Sequence, residues 1–253
     1  MKNKILLLAT SLLLLVTTSC KNTVSIGTIY RYNNSDKYTI INEEASFENN
    51  EITTIDVDWI YGNIDIIYDL DSASLFTIKE DNGYSSQAGK GRYYIDNSTL
   101  YIRFFENNAG LINLDKSKNK NLTITLPQKD YSLINIDTIS TDTICDINAN
   151  KITCDSVSGN FTCNANPGNI DIDNVSGNIY INPSNPLSFN VEIDTVSGDS
   201  NFILHETSDF KVDLSSVSGS INSDFSLTNN SYGKGTYLLN VDSVSGSVNI
   251  NKL

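Results

Sequence analysis

Apolar and polar residues recur along the second half of the chain in one short phrase. It reads IDTISTD at 136–142, CDSVSGN at 154–160, IDNVSGN at 172–178, IDTVSGD at 193–199, LSSVSGS at 214–220 and VDSVSGS at 241–247. The central serines (Ser140, Ser158, Ser176, Ser197, Ser218, Ser245) are 18, 18, 21, 21 and 27 residues apart. A period near twenty is the mark of stacked supersecondary units. Four residues before the serine the column is apolar throughout: Ile136, Cys154, Ile172, Ile193, Leu214, Val241. One residue before it the column is β-branched: Ile139, Val157, Val175, Val196, Val217, Val244. After it, Ile179 and Ile181, or Val248 and Ile250, alternate as a half-buried strand does. Glycine follows the serine in five of six copies, as Gly159, Gly177, Gly198, Gly219 and Gly246, with Thr141 in the first. Glycine between two β-branched stretches predicts a bend with special backbone angles or close backbone approach.

Each unit thus reads strand, corner, strand, and cannot bury its apolar face without a neighbour. The prediction is an all-β chain built as a parallel β-solenoid with rungs of about 18–21 residues. Each rung should pair with the rung one repeat away, with the Ile172 and Val175 columns buried and the Asp173 column largely exposed. Upstream, IDVDWIYGNIDI at 55–66 aligns with the phrase, with Gly62 in the glycine column and Tyr61 in place of serine. It reads as a divergent opening rung. FTIKED at 76–81, YYIDNSTLYIRFF at 93–105 and NLTITLP at 121–127 are further strand signals. The Gly-, Asn-, Ser- and Lys-rich stretches 82–92 and 106–120 read as loops, and the inserts 182–190 and 226–236 should bulge from the stack.

The start of the chain changes the picture of where it works. Lys2 and Lys4 precede the apolar run Ile5–Val16, too short to span a bilayer but suited to a secretory signal peptide. A cysteine closing such a segment resembles the lipobox of bacterial lipoproteins. That resemblance implies removal of residues 1–19, lipidation of Cys20 and anchoring to the membrane from outside the cytoplasm. Thr17 stands where that motif usually carries leucine. A plain signal peptide with an incidental cysteine is the alternative. The expected layout is signal peptide 1–19, lipidated N-terminus and tether 20–50, and one β domain 51–253. That domain divides into an irregular part, 51–130, and regular repeats, 131–253.

The order Asp-Trp-Ile-Tyr-Gly-Asn-Ile, Leu-Tyr-Ile, Leu-Thr-Ile-Thr-Leu-Pro and then repeated Asp-x-Val-Ser-Gly resembles the bacterial putative-adhesin domain family of unknown function. The resemblance covers roughly residues 50–253. It implies a β-solenoid exposed at the cell envelope and brings no catalytic residues with it.

Composition narrows the chemistry. The formal charge is −13, and residues 136–253 hold 4 lysines, no arginine and 14 carboxylates. Nucleic acid is therefore excluded as a partner, since phosphate binding needs a basic patch. Asp58, Asp137, Asp155, Asp173, Asp194 and Asp242 occupy one repeat position, with Ser215 in the remaining copy. Stacked in register, such carboxylates lie about 4.7–4.9 Å apart, so they must be solvated, hydrogen-bonded to turn N–H groups, or bridged by a cation such as calcium. The paired-glycine nonapeptide of calcium-binding β-rolls is absent, and the first two readings are preferred. Cys145 and Cys163 fall in the column of Ile181 and Ile250, and Cys154 in that of Ile172. All three read as core thiols, with a Cys145–Cys163 disulfide as the rival. Zinc is disfavoured because CxxC spacing is absent and His205 is the only histidine.

Enzymatic readings fail on inventory. Gly198-Asp199-Ser200 is like one lipase nucleophile phrase but falls inside a repeat, and a single histidine gives thin support for a serine–histidine pair. A lyase-type solenoid would need arginine beside its carboxylates, yet Arg31, Arg92 and Arg103 all lie upstream of the regular rungs. A pair of carboxylates acting on a glycosidic bond stays open on sequence alone. Ice binding needs flat threonine ladders, and the column two before the serine mixes Thr138, Ser156, Asn174, Thr195, Ser216 and Ser243. The reading is a non-catalytic surface lipoprotein without cofactor, an adhesin or envelope-binding scaffold whose partner is an envelope or host component. The alternatives are an envelope-stress signalling accessory and, further off, a polysaccharide-active enzyme.

Overall fold

The computed structural model describes residues 23–26, 31–81, 84, 86–107, 112–115 and 120–253. The leader and Cys20, with its expected lipidation, lie outside the described residues. Strands dominate. Tyr131–Cys145 pairs in parallel with Ala149–Ser158 before its corner and with Phe161–Cys163 after it. The pattern repeats through Asn169–Ser176 with Ile179–Ile181, and through Asn190–Ser197 with Ser200–Leu204. Every pairing keeps the phrase in register, so Ser158 lies opposite Ser140 and Ser176. The result is a 19-stranded, mostly parallel sheet folded along the line of Val-Ser-Gly corners into two arms. The inner faces of both arms contribute to one continuous core, where Ile170, Ile172, Ile179 and Ile181 are almost fully buried. Each such side chain stabilises the fold by about 1.5–3 kcal/mol, and summing them along the stack makes isolated rungs cooperate.

The segment aligned with the phrase at 55–66 is a rung: Thr54–Asp69 pairs with Tyr131–Cys145 through both arms, with Val57 opposite Ile136, Asp58 opposite Asp137 and Gly62 opposite Thr141. It does not open the stack. A composite rung lies outside it, made of Thr99–Arg103 on the first arm and Asn121–Pro127 on the second, both parallel to it. Antiparallel strands then close that end. Arg92–Asp96 and Thr39–Ile40 cover the first arm, and Leu75–Asp81 and Glu44–Glu48 cover the second. Residues 39–48, where the tether is expected to become a first edge segment, contribute strands to the sheet.

Several sequence expectations need correction. The stretch 93–105 is a hairpin rather than one strand, because Asn97 turns the chain at φ 52° between Arg92–Asp96 and Thr99–Arg103. Ile112–Asp115, inside a predicted loop, is a strand paired antiparallel with Thr23–Ile26. The insert 182–190 does not simply bulge: Leu187 and Phe189 are buried, and the Leu187 N–H donates to Ser208 Oγ at 3.0 Å. Within 226–236, Ser231–Tyr232 folds back antiparallel on Phe210–Lys211, and Tyr232 packs on Phe210 and Phe225.

The largest correction concerns rung order. Asn190–Ser197 pairs with Tyr237–Ser245, and Ser200–Leu204 with Val248–Lys252. Phe210–Ser218 and Ile221–Ser223 pair with the far side of that last rung. The chain thus skips one level, builds the outermost rung, and returns to fill the gap. Asn229, Asn230, Gly233 and Gly235 all adopt positive φ in the return segment, which allows the tight reversal.

Candidate functional site

The repeated phrase is the most distinctive feature, and its chemistry is first structural. At Gly177 φ is +127°, and a Cβ there would overlap the carbonyl oxygen of Gly159 in the neighbouring rung. The same overlap with the adjoining rung's backbone recurs at Gly62, Gly159, Gly198, Gly219 and Gly246, so close approach of rungs requires glycine in this column. The following polar position forms a ladder. The N–H of Asn160 donates to Asp142 Oδ1 at 2.8 Å, that of Asn178 to Asn160 Oδ1 at 2.9 Å, and that of Asp199 to Asn178 Oδ1 at 3.0 Å. Ser247 N–H donates to Asp199 Oδ1 at 2.9 Å. These side chains satisfy backbone donors that the bend takes out of the sheet ladder. The Gly198-Asp199-Ser200 phrase is absorbed here: Asp199 serves the ladder, and Ser200 is 1% exposed on the inner face. His205 lies in the turn after Ser200–Leu204, where its carbonyl accepts the Ser208 N–H.

Alternation of side chains sends the columns to faces that differ in part from expectation. The Ile172 column is buried, apart from half-buried Leu214 in the outermost rung. The Val175 column, three residues on, points outward. Ile139, Val157 and Val175 are half-buried, while Val196, Val244 and Val217 are 38%, 52% and 85% exposed in spatial order toward the free end. A spacing of three places two residues on opposite faces of a strand. The inward position at the corner is instead the mixed polar column, with Thr138, Asn174 and Thr195 buried.

The aspartate column does form an in-register outward ladder, Asp58–Asp137–Asp155–Asp173–Asp194–Asp242, ending on Ser215. Arg103 precedes it at the other end, opposite Asp58. Its guanidinium pairs with Asp56 at 2.6 Å. Most of the column is half-buried rather than open, and only Asp242 among the six is fully exposed. Burial, with Asp155 and Asp56 nearby, pushes the Asp137 carboxyl up to about 6. Burial and the adjacent Asp242 also raise Asp194. Among the described residues no three His, Cys, Asp or Glu side chains converge as a metal ion would require. A straight column offers each gap only two carboxylates, whereas calcium takes six to eight oxygens.

Cys145, Cys154 and Cys163 are buried free thiols. Cys145 lies opposite Cys163 in register, and burial drives the Cys163 thiol up to about 12 and the other two upward as well. Such thiols are poor nucleophiles and poor metal ligands.

Sequence reasoning missed one buried charged group. Lys120 is fully enclosed beside Trp59 and Phe104, its Nζ lying 4.7 and 4.1 Å from the ring centroids. It donates to the carbonyl oxygens of Gly89 and Phe104 and pairs with Glu80 Oε2 at 3.3 Å. Glu80 in turn accepts from Gly91 N–H at 2.5 Å. Burial lowers the Lys120 pKa to about 8 against the pull of Glu80. Every donor of the ammonium faces an acceptor, so this is a pin for the composite rung. Nothing in the sequence distinguished Lys120 from Lys116 and Lys118 in the polar stretch before the strand Asn121–Pro127.

Two shallow grooves mark the outer surface. One, of about 270 Å³, follows the corner past Tyr61, Asn63, Ser140 and Asp142. The other, of about 390 Å³, runs over the first arm past Lys151, Asp171, Glu192, Leu238 and Asn240. In the second, Lys151 is neutralised by Asp171 at 2.9 Å. Neither lining holds a histidine or a cysteine. What the molecule offers chemically is a set of long ladders of carboxylates, amides and aliphatics rather than one convergent cleft.

Comparison with known proteins agrees with this architecture. Residues 134–251 match the family described as Toastrack DUF4097. No curated protein matches the chain. The fold is similar to that of a putative cell adhesion protein from Clostridium sporogenes, with a TM-score of 0.51 at 17% identity. That alignment covers 83% of this chain and 99% of the other. A putative adhesin from Bacteroides fragilis aligns with a TM-score of 0.46 at 16% identity, over 85% of this chain and 97% of that one. At 17% identity the likeness to the Clostridium sporogenes protein is one of fold.

Proposed function

We propose that this Toastrack-domain chain is a non-catalytic cell-surface lipoprotein, anchored through Cys20, that binds an envelope or host component over its long faces. The observation that carries the reading is the outer surface of the first arm. Its columns run unbroken from Arg103 to Ser215 and present repeated, evenly spaced groups in place of a pocket. A repetitive, extended partner can match such a surface rung by rung, whereas a small substrate needs convergent groups in a concave site. The leader with Lys2, Lys4 and Cys20 supports export and anchoring. The name of the Clostridium sporogenes neighbour, a putative cell adhesion protein, is in keeping with that reading.

The test is deletion of residues 51–253 with the leader, Cys20 and tether retained. Loss of attachment of cells to a surface or isolated envelope fraction supports the proposal. Normal attachment with an altered envelope-stress response replaces it with the signalling role. Release of reducing sugar from envelope polysaccharide by the purified domain, abolished by one carboxylate substitution, replaces it with an enzyme. Labelling with radioactive palmitate, lost in Cys20→Ala, tests the anchor separately.

A further inference from the structure

The two ends of the stack are finished differently. At the end that carries the composite rung, the edge strands are short, and Glu44–Glu48 places Glu44 and Glu48 at its two termini. Short length and charge are the devices by which soluble proteins prevent an edge from pairing with another chain. At the other end the outermost rung is Phe210–Ser218 followed by Ile221–Ser223. Its outer side is covered only at the start, by Ser231–Tyr232 on Phe210–Lys211 and by the Val212 N–H donating to Asn230 O at 2.8 Å. Beyond Val212, no strand pairs with the outer side of residues 213–223 among the described residues. From Leu214 to Ser223 the sequence is LSSVSGSINS, without a charge or a proline. Val217, at 85% exposure, leads the aliphatic stripe continued by Val244 and Val196. Past Asp213 this open edge is uncharged and partly apolar, and on either side of its Gly219 corner it is a template for strand addition.

We propose that this edge, residues 213–223, receives one extended strand from a protein partner, and that the partner strand is basic. Charge complementarity selects the partner. An added strand extends the outward column that runs Asp194, Asp242, Ser215, so its residue there lies one rung from Ser215 and two from Asp242. Asp213 stands two residues away on the same face, and its one basic companion, Lys211, is 4.0 Å off. A lysine or arginine in the incoming strand reaches both carboxylates. A second copy of this chain is disfavoured, because two molecules of charge −13 repel one another. The main-chain ladder supplies affinity, and valines alternating with the lysines fall on the opposite, inner face, where they extend the column that ends on half-buried Leu214. This inference goes beyond the broad-face reading and is tested independently of it.

The experiment uses the purified protein and two synthetic nine-residue probes, one alternating valine with lysine and one alternating valine with glutamate. The lysine probe should bind with an affinity that falls on raising salt from about 0.05 to 0.3 M, as screening shortens the reach of Asp213 and Asp242. Glutamate in place of lysine should abolish binding. Val217→Lys, a guard charge on an exposed side chain, should weaken the lysine probe by at least about tenfold with an unchanged melting temperature. Asp213→Asn with Asp242→Asn should flatten the salt dependence while leaving residual binding. Absence of binding by the lysine probe, equal binding of both probes, or binding indifferent to Val217→Lys overturns the proposal. Dimerisation in sedimentation velocity that Val217→Lys abolishes overturns it in favour of self-pairing.

Discussion

Asp137→Asn should stabilise the protein at neutral pH, although it removes a residue from the most regular column in the chain. Asp137 lies half-buried between Asp58 and Asp155, with Asp56 nearby. Burial is the largest cause of its raised pKa, followed by the charges of Asp155 and Asp56. Asn135 Nδ2, donating to its Oδ2 at 3.4 Å, and Arg103 only partly offset these effects. The folded-state value of about 6 stands against 3.8 for an ordinary aspartate. The sign follows from linkage. Between the two values the folded state holds more proton than the unfolded chain, so stability falls as pH rises from about 4 to 6 and the full penalty is present above 6. At about 1.4 kcal/mol per unit, a shift near two units sets an upper bound of about 3 kcal/mol, and solvent screening of a half-buried group brings the expectation to about 1–2 kcal/mol. Asparagine keeps the shape and the possible bond to Asn135 while removing the charge.

Urea unfolding of the wild type and Asp137→Asn, followed by the fluorescence of the single buried Trp59, measures the difference across pH 3.5–8. The variants should coincide near pH 4 and diverge through pH 6, with the variant more stable by about 1–2 kcal/mol at pH 7, or a few degrees in melting temperature. A pH-independent difference refutes the electrostatic account. A variant less stable at pH 7 refutes it more sharply, because the ionised Asp137 would then be held by a favourable partner. A calcium-dependent rise in wild-type stability that the substitution removes would identify that partner as a bound cation.

Three further outcomes test other parts of the architecture. Gly177→Ala should cost more than about 4 kcal/mol or prevent folding, since φ is +127° and the methyl overlaps the Gly159 carbonyl; Ser176→Ala, beside it, should cost less than about 1 kcal/mol by the same thermal measurement. Lys120→Met should cost about 3–5 kcal/mol by leaving Glu80 buried without its cation, and adding Glu80→Gln should recover much of that loss in denaturant titrations. Cys145, Cys154 and Cys163 should resist a thiol reagent in the native protein and react on unfolding, whereas a linked Cys145–Cys163 peptide pair in a non-reducing digest would contradict the free-thiol core.

The repeat, the rung register and the role of Gly177 were legible in the sequence because each depends on residues recurring at a fixed offset. The 55–66 segment was legible for the same reason, even with Tyr61 in the serine position. The facing of the Val175 column was misjudged on residue type: β-branched identity was weighted above parity. Ile172 and Val175 cannot both point inward from one extended strand. The corner interior accepts Thr138, Asn174 and Thr195 in the inward position, and the valines form a half-exposed stripe outside. The Lys120–Glu80 pair was not legible, since no periodicity tells where an irregular loop delivers its last residue.

The exchanged order of the last two rungs left traces that gain meaning only from the structure. The rung containing Ser218 is the one phrase with serine, Ser215, in the aspartate column, and the next serine follows after 27 residues, the longest interval. Had the rungs stacked in chain order, Ser215 would interrupt the carboxylate ladder and Asp242 would stand at the open edge. Skipping a level keeps six aspartates contiguous and moves the uncharged LSSVSGS segment to the outside. Stability alone would not favour that choice, because an unbroken row of like charges costs energy that Ser215 in the middle would relieve. The arrangement is better explained by what it exposes. The rung least suited to guard an edge occupies an end where, among the described residues, no strand pairs beyond Val212, which is the arrangement the proposed strand addition would use.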